Sequence, residues 1–107
     1  MLYNSILLSA RDARIARRVK RRLSEITPVK RLVVYSSRAR GRPGRYSDLD
    51  LYIELDTQVN SVLRRKIREV AWEVSLDSGV VITTLVANDR LKGQPILKAI
   101  NSEGIPV

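Results

Sequence analysis

Residues 33–55 constrain the fold more than any other part of this sequence. An apolar run from Leu32 to Tyr35 is typical of a buried strand. A basic segment with glycine and proline follows, and then Ser47 to Glu54 alternates apolar and polar residues. Strict alternation predicts a second strand with one buried and one polar face. Its buried face would carry Leu49, Leu51 and Ile53.

The polar face of this second strand carries two aspartates, Asp48 and Asp50. Side chains two residues apart on a strand point the same way, with Cα atoms roughly 7 Å apart. Two carboxylates aimed at one point repel each other unless a cation lies between them. Mg²⁺ is bound by oxygen ligands, commonly one or two carboxylates together with phosphate oxygens. The pair therefore indicates a metal site, with a solvated strand edge as the simpler alternative.

The loop between the two strands has the composition of a phosphate-binding segment. Ser36 and Ser37 end the first strand, where hydroxyl and backbone N–H groups can hold a phosphate. The basic residues that follow would add positive charge beside it; they are Arg38, Arg40, Arg42 and Arg45.

These residues resemble a known family. Ser36-Ser37, ten further residues and then Asp48-Leu49-Asp50 are similar to the Gly-Ser-x10-Asp-x-Asp signature of DNA polymerase β-like nucleotidyltransferases. The loop Ser36-Ser37-Arg38-Ala39-Arg40-Gly41 matches five of the six residues Gly-Ser-Arg-Ala-Arg-Gly of the minimal nucleotidyltransferase (MNT) domains. The resemblance covers nearly the whole chain, which we expect to form one domain over residues 1–107.

The resemblance implies a Mg²⁺-dependent transfer of a nucleotide. Asp48 and Asp50 would be the catalytic metal ligands, and Ser36, Ser37, Arg38 and Arg40 would bind the phosphates of ATP. The implied reaction is transfer of AMP from ATP to a protein hydroxyl. MNT domains commonly act as antitoxins beside a small helical HEPN protein, which gives a toxin–antitoxin system as the expected setting and a HEPN-type protein as the expected partner.

The sequence departs from the family pattern at two places. Ser36 stands where the family has a glycine, which can adopt positive φ and lets the backbone approach phosphate closely. Many family members also have a third carboxylate on the strand expected at Val80 to Val86, at a position near Val81, Ile82 or Thr83. Loss of that ligand weakens the metal that activates the nucleophile, so the resemblance supports nucleotide binding more directly than turnover.

Composition excludes several other classes of site. The 107 residues contain no cysteine and no histidine, which rules out disulfides, thiolate metal sites and histidine-based catalysis. The absence of cysteine is compatible with the cytoplasm, where we expect the protein to reside. No apolar run approaches the roughly 20 residues of a membrane span, so no membrane association is expected.

The remaining sequence predicts an α/β (α+β) fold in the order α-β-α-β-α-β-α, with a small mixed sheet flanked by helices. This order matches the nucleotidyltransferase fold that the resemblance implies. The expected helices cover residues 9–26, a short turn at 37–41, 58–77 and a last helix from Gln94 to Gly104. Ile26 and Ile96 are assigned to core-facing stripes, and the β-branched third strand, residues 80–86, to the centre of the sheet.

A net charge of +9 leaves other functions open. The arginines of the first helix form either a solvated face or a surface for a polyanion or an acidic partner. Trp72 either packs under residues 3–8 or is an exposed anchor for a partner protein.

A catalytically degenerate antitoxin that only binds nucleotide or partner is the main alternative to an enzyme. Nucleic-acid binding is weaker because the chain has only five aromatic residues, and a homo-oligomer is compatible with the sequence.

Overall fold

The computed structural model describes residues 8–35, 48–88 and 91–107. The helices are α1 (Ala10–Ser24), α2 (Ser61–Ser78) and α3 (Pro95–Glu103). The strands are β1 (Val29–Val34), β2 (Leu49–Leu55), β3 (Ile82–Val86) and β4 (Ile105–Pro106). This is the expected α+β fold, and the turn expected at residues 37–41 lies outside the described residues.

The four strands form one mixed sheet in the order β3-β2-β1-β4. β1 is antiparallel to β2 and β4, whereas β2 and β3 are parallel and connected through α2. The prediction that the third strand is central was wrong for the described sheet, in which β3 lies at an edge. Its β-branched residues reflect burial of one face, with Ile82 and Val86 under the helices. β4 was not predicted, because two residues carry no periodic pattern.

The sheet buries both of its faces, but unequally. The face that carries Leu49, Leu51 and Ile53 packs against α1 and α2 and forms the main core, which confirms the predicted alternation. On the opposite face, a smaller cluster joins Val33 and Tyr52 to Ile100 of α3. Because α3 has only nine residues, it covers only part of this second face.

Helix α1 begins where the sequence predicts. The Ser9 side chain accepts a hydrogen bond of 3.0 Å from the backbone N–H of Asp12, which caps the first turn. The helix ends at Ser24, before the expected end at residue 26. Ile26 therefore lies beyond the helical stripe and is 42% exposed, so its assignment to the core was wrong.

Helix α2 is bounded by Asn60, whose side chain caps it, and by Gly79 in the left-handed conformation at φ 73°. The flank of α2 towards α1 carries two acidic residues that pair with arginines. Asp77 lies 2.8 Å from the Arg18 guanidinium, and Glu73 pairs with Arg22. These exposed pairs align the two helices over the sheet.

Helix α3 is held to the sheet by Arg31 of β1. The Arg31 guanidinium pairs with Glu54, donates to the Asn101 side chain at 2.8 Å and lies 5.4 Å from the ring centroid of Tyr52. The pairing with Glu54 is the main cause that raises the pKa of Arg31. Ile96, expected in the core, is 40% exposed, whereas Ile100 is buried.

Gly104 connects α3 to β4 through a tight approach. A Cβ at this position would lie 2.3 Å from Cγ1 of Val33 and 2.4 Å from the carbonyl oxygen of Ile100. Only glycine lets the chain pass directly from α3 back to the sheet here.

None of the described helices combines the length and the apolar character that a membrane-spanning helix needs.

Candidate functional site

Three side chains from neighbouring strands line up on the partly covered face of the sheet. Tyr35 directly follows β1, and its backbone N–H donates to the carbonyl oxygen of Asp50 at 3.2 Å. Asp50 of β2 is in register with Thr83 of β3. Tyr35, Asp50 and Thr83 therefore form a row across the sheet, next to the point where β1 ends and β2 begins.

The Asp50 carboxylate is in contact with the Thr83 side chain. The Thr83 hydroxyl donates a hydrogen bond to Oδ1 of Asp50, and the two residues are 33 positions apart in the sequence. Asp50 is half-buried, whereas Thr83 is exposed at the edge strand. The hydroxyl thus holds the carboxylate at the surface of the sheet, where a bound cation can reach it.

Asp48 is the residue immediately before β2 and is also half-buried. The next residue, Leu49, donates its N–H to the Val81 carbonyl oxygen at 2.8 Å and is fully buried in the main core. If the strand alternation extends by one residue, Asp48 faces the same side as Asp50. Both carboxylates then belong to the open end of β2.

Tyr35 has the environment of a neutral phenol. Burial raises the pKa of the Tyr35 hydroxyl, and the negative charge of Asp50 raises this pKa further. The Tyr35 hydroxyl therefore stays protonated at physiological pH beside Asp50. Sequence reasoning missed Tyr35 as part of the site; its place two residues after the buried Val33 was the signal that could have found it.

The third strand lacks the third carboxylate that the family resemblance leads us to expect. The sequence placed the position of that carboxylate near Val81, Ile82 or Thr83, and the register selects Thr83 because it lies directly beside Asp50. Across residues 8–35, 48–88 and 91–107, no group of three or more acidic, histidine or cysteine side chains could hold a metal. Thr83 thus supplies a hydroxyl in the place of the expected negative charge.

Helix α3 limits the site to one end of the sheet. Tyr52, two residues after Asp50, is buried against Val33 and Ile100, and Leu85 packs against the same cluster. Among the described residues, the open part of this face is therefore the part that carries Asp50 and Thr83.

The predicted phosphate-binding residues, Ser36, Ser37, Arg38 and Arg40, lie outside the described residues. The flanks of that segment are described: Tyr35 precedes it, Asp48 follows it, and Asp50 is hydrogen-bonded to Tyr35. The described residues on either side of that segment therefore lie at the end of the sheet that carries the two aspartates.

The arginines of α1 divide into two groups. Arg18 and Arg22 pair with α2, and Arg11 donates to the Ser78 carbonyl oxygen at 2.9 Å. Others project into solvent and, together with Arg18, line a shallow groove of about 540 Å³: Arg14, Arg17 and Arg21. About half of the basic face thus has a structural role, and the rest fits either a solvated face or an anionic partner.

The chemistry of the donor set suits a hard divalent cation. Asp48 and Asp50 contribute carboxylate oxygens, which Mg²⁺ prefers, and the Thr83 hydroxyl already orders one of them. Two carboxylates are enough for a cation that also binds the phosphates of a nucleotide.

Comparison with models of known protein families identifies a family for this chain. The family model described as nucleotidyltransferase domain matches residues 16–101, which include the row from Tyr35 to Thr83. No curated protein and no solved structure matches the chain.

Proposed function

Because the chain belongs to the nucleotidyltransferase domain family, we propose that it transfers AMP from ATP to a hydroxyl group of a protein in a Mg²⁺-dependent reaction. The observation that carries the proposal is the position of Asp50 on the open part of the sheet face, with Asp48 two residues before it. A nucleotide held there would lie beside the segment that follows Tyr35.

The proposed site residues form three groups, one for the metal and two for the phosphates. Asp48 and Asp50 would hold Mg²⁺, which would supply positive charge beside the phosphate oxygens. Ser36 and Ser37 bind the β- and γ-phosphates through hydroxyl and backbone N–H groups, and Arg38 and Arg40 neutralise phosphate charge.

The transfer itself is an in-line displacement at phosphorus. The acceptor oxygen forms a bond to the α-phosphorus, and the bond from that phosphorus to the bridging oxygen breaks. Pyrophosphate leaves, and the hydroxyl proton passes to solvent. The protein contributes mainly position and charge, since phosphoryl chemistry of this kind needs little else.

The proposed acceptor is a helical partner of the HEPN type, within a toxin–antitoxin pair. This part of the proposal rests on the resemblance of the Ser36–Gly41 loop to that of the MNT domains. ATP and Mg²⁺ are both plentiful in the cytoplasm, which is the compartment we propose.

One observation favours a second candidate function. Beside Asp50, β3 offers the neutral hydroxyl of Thr83, which would activate an acceptor hydroxyl less well than the third carboxylate implied by the resemblance. In this alternative the protein binds nucleotide and partner without transferring AMP, and it neutralises the partner by binding alone.

The deciding experiment combines the protein with labelled ATP, Mg²⁺ and the protein encoded beside it in the genome. Mass spectrometry should detect an AMP adduct on the partner, and Asp50→Asn should abolish it. Asp56→Asn is the matched control, because Asp56 is an exposed acid just past the other end of β2. A stable complex with no adduct would instead establish the binding function.

A second measurement separates the two halves of the proposed site. Ser37→Ala should weaken ATP binding while metal binding to the aspartates persists, and Asp48→Asn should remove metal binding. If nucleic acid binds with a strong salt dependence that survives Asp48→Asn, the arginines of the chain rather than the metal site are responsible.

A further inference from the structure

Within the described part of the chain, the edge of β3 and the adjoining flank of α2 form an exposed surface with large apolar side chains. Trp72 and Leu76 of α2 are 64% and 63% exposed, and Val81, just before β3, is 59% exposed. Together with Arg68 they line a groove of about 720 Å³ between the helix and the strand. This flank of α2 is opposite the one whose acidic residues pair with α1.

Some backbone N–H and C=O groups of β3 point away from β2, towards this groove. Val81 and Ala87 bond to β2, at 2.8 Å each, so the alternate residues direct their N–H and C=O groups away from β2. The Ile82 N–H points to this side, where it donates to Oγ of Ser75 at 3.0 Å. In the described sheet no strand pairs with the outward groups of Thr84 and Val86.

This edge lacks the features that usually protect an edge strand. Residues 80–88, VVITTLVAN, contain no charged residue and no proline. The opposite edge of the described sheet is different, because β4 has only two residues and one of them is Pro106. An uncharged, apolar edge of five residues is a template for another strand.

We propose that this surface is the interface of a homodimer, in which β3 pairs with β3 of a second copy in antiparallel orientation about a two-fold axis at Thr84. The outward groups of Thr84 would bond to those of Thr84 in the second copy, and the Val86 N–H would bond to the Ile82 carbonyl oxygen across the axis. The two sheets would become one continuous sheet of eight strands.

The surface is self-complementary in the way that a two-fold interface requires. No pair of like charges is brought together along the strands, and Thr–Thr is a favourable cross-strand pair. The two-fold axis is perpendicular to the sheet, so both α2 helices lie on the same face of the eight-stranded sheet. Trp72 and Leu76 of each copy then cover those of the other.

The positive charge of the protein is compatible with this arrangement. The arginine groove of α1, formed by Arg14, Arg17, Arg18 and Arg21, lies over β1, whereas α2 packs over β3 and contributes Arg68 to the proposed interface. α1 therefore lies on the far side of α2 from the proposed axis. The repulsion between two copies of charge +9 is long-range and screened by salt, so dimerisation should strengthen as salt concentration rises.

The dimer would also extend the candidate site, although the proposal does not depend on the function of that site. Thr83 lies on the site face of β3, and antiparallel pairing about Thr84 places it opposite Leu85 of the second copy. The second copy would thus enclose the candidate site on its β3 side, which is open in the single chain.

Sedimentation equilibrium over micromolar to millimolar concentrations tests the proposal on the intact protein. We expect a monomer–dimer equilibrium, weakened at least tenfold by Thr84→Lys, which places two like charges opposite each other, and by Trp72→Ala. Val62→Ala is the control, because Val62 is also exposed on α2 but does not line the groove. Circular dichroism of each variant would show whether its fold is kept.

Amide hydrogen exchange gives a second test that needs no variant. Dimerisation should protect the amides of Thr84 and Val86 in a concentration-dependent manner. A chain that stays monomeric at millimolar concentration and high salt would overturn the proposal, and so would a dimer that Thr84→Lys and Trp72→Ala leave intact. Either result would leave the groove to a different partner.

Discussion

Thr83 donates a hydrogen bond to the Asp50 carboxylate from the position directly across the β2–β3 pair. The family resemblance implies a third acidic ligand near Val81, Ile82 or Thr83, and Thr83 is the one of these in register with Asp50. A hydroxyl orders the carboxylate beside it but adds no negative charge for a second cation. This relationship separates metal binding, which Asp48 and Asp50 can support, from the activation of an acceptor.

Replacing Thr83 with aspartate should restore the missing charge. Three carboxylates repel one another unless cations lie between them, so we expect Thr83→Asp to raise the Mn²⁺ bound in the presence of a non-hydrolysable ATP analogue from about one ion to about two. Electron paramagnetic resonance counts the bound Mn²⁺. Thr83→Val, which loses the hydrogen bond without adding charge, should show no second ion. An unchanged count in Thr83→Asp would contradict the assignment of this position.

Gly104→Ala should destabilise the protein by about 1–3 kcal/mol, because its Cβ would overlap Val33 and the Ile100 carbonyl oxygen. Urea unfolding measures the change. Lys98→Ala, on the exposed face of α3, which Gly104 follows, should change the free energy of unfolding by less than about 0.5 kcal/mol. Equal effects of the two substitutions would show that the tight approach of α3 to the sheet has no energetic importance.

Arg31→Lys should cost about 1 kcal/mol of unfolding free energy, although it keeps the charge. A lysine has no planar fork, so it cannot contact Glu54 and Asn101 together while lying over Tyr52. Arg65→Lys is the matched control, because Arg65 is exposed and its nearest acid, Glu69, is 4.0 Å away. Chemical denaturation of both variants makes the comparison.

Stability should fall at alkaline pH, in part because of Tyr35. Burial first, and the Asp50 charge second, hold the pKa of Tyr35 above its usual value of about 10. Between the unfolded and the folded pKa the native state binds more protons, so the free energy of unfolding decreases as pH rises. Below about pH 10 the phenol is neutral in both states and contributes no slope.

Tyr35→Phe should therefore flatten the decline of stability above about pH 10 without changing its value at pH 7 through this linkage. Urea titrations at a series of pH values test this. Burial also raises the pKa of Tyr52, so part of the slope should survive in Tyr35→Phe and disappear further in the double variant with Tyr52→Phe. A slope unaffected by both substitutions would assign the decline to other groups.

The parts of the fold that repeat regularly were predictable, and those fixed by long-range contacts were not. Alternation in β2 and the capping Ser9 identified their elements directly. The same reasoning assigned Ile26 and Ile96 to the core, because helical spacing does not show where a helix ends or how narrow its buried stripe is. Strand order was also missed, since apolar composition reports burial of a face and not the number of neighbouring strands.

The candidate site follows the same division. Asp48 and Asp50 were found from spacing within one strand, whereas Tyr35 and Thr83 join them only through strand pairing. No local pattern marks a threonine as the neighbour of an aspartate 33 residues earlier. The register between β2 and β3 decides which residue lies beside Asp50, and this register depends on the whole sheet. The roles of the residues between Tyr35 and Asp48 stay predictions.

The parallel pairing of β2 with β3 has a consequence for how the site forms. Asp50 and Thr83 are joined along the chain only through α2, because a parallel pair requires a crossover. The two side chains can meet only after that helix has docked, so site assembly is coupled to tertiary folding. Substitutions in the buried stripe of α2 should thus lower ligand affinity from a distance, by increasing the population in which the crossover is detached.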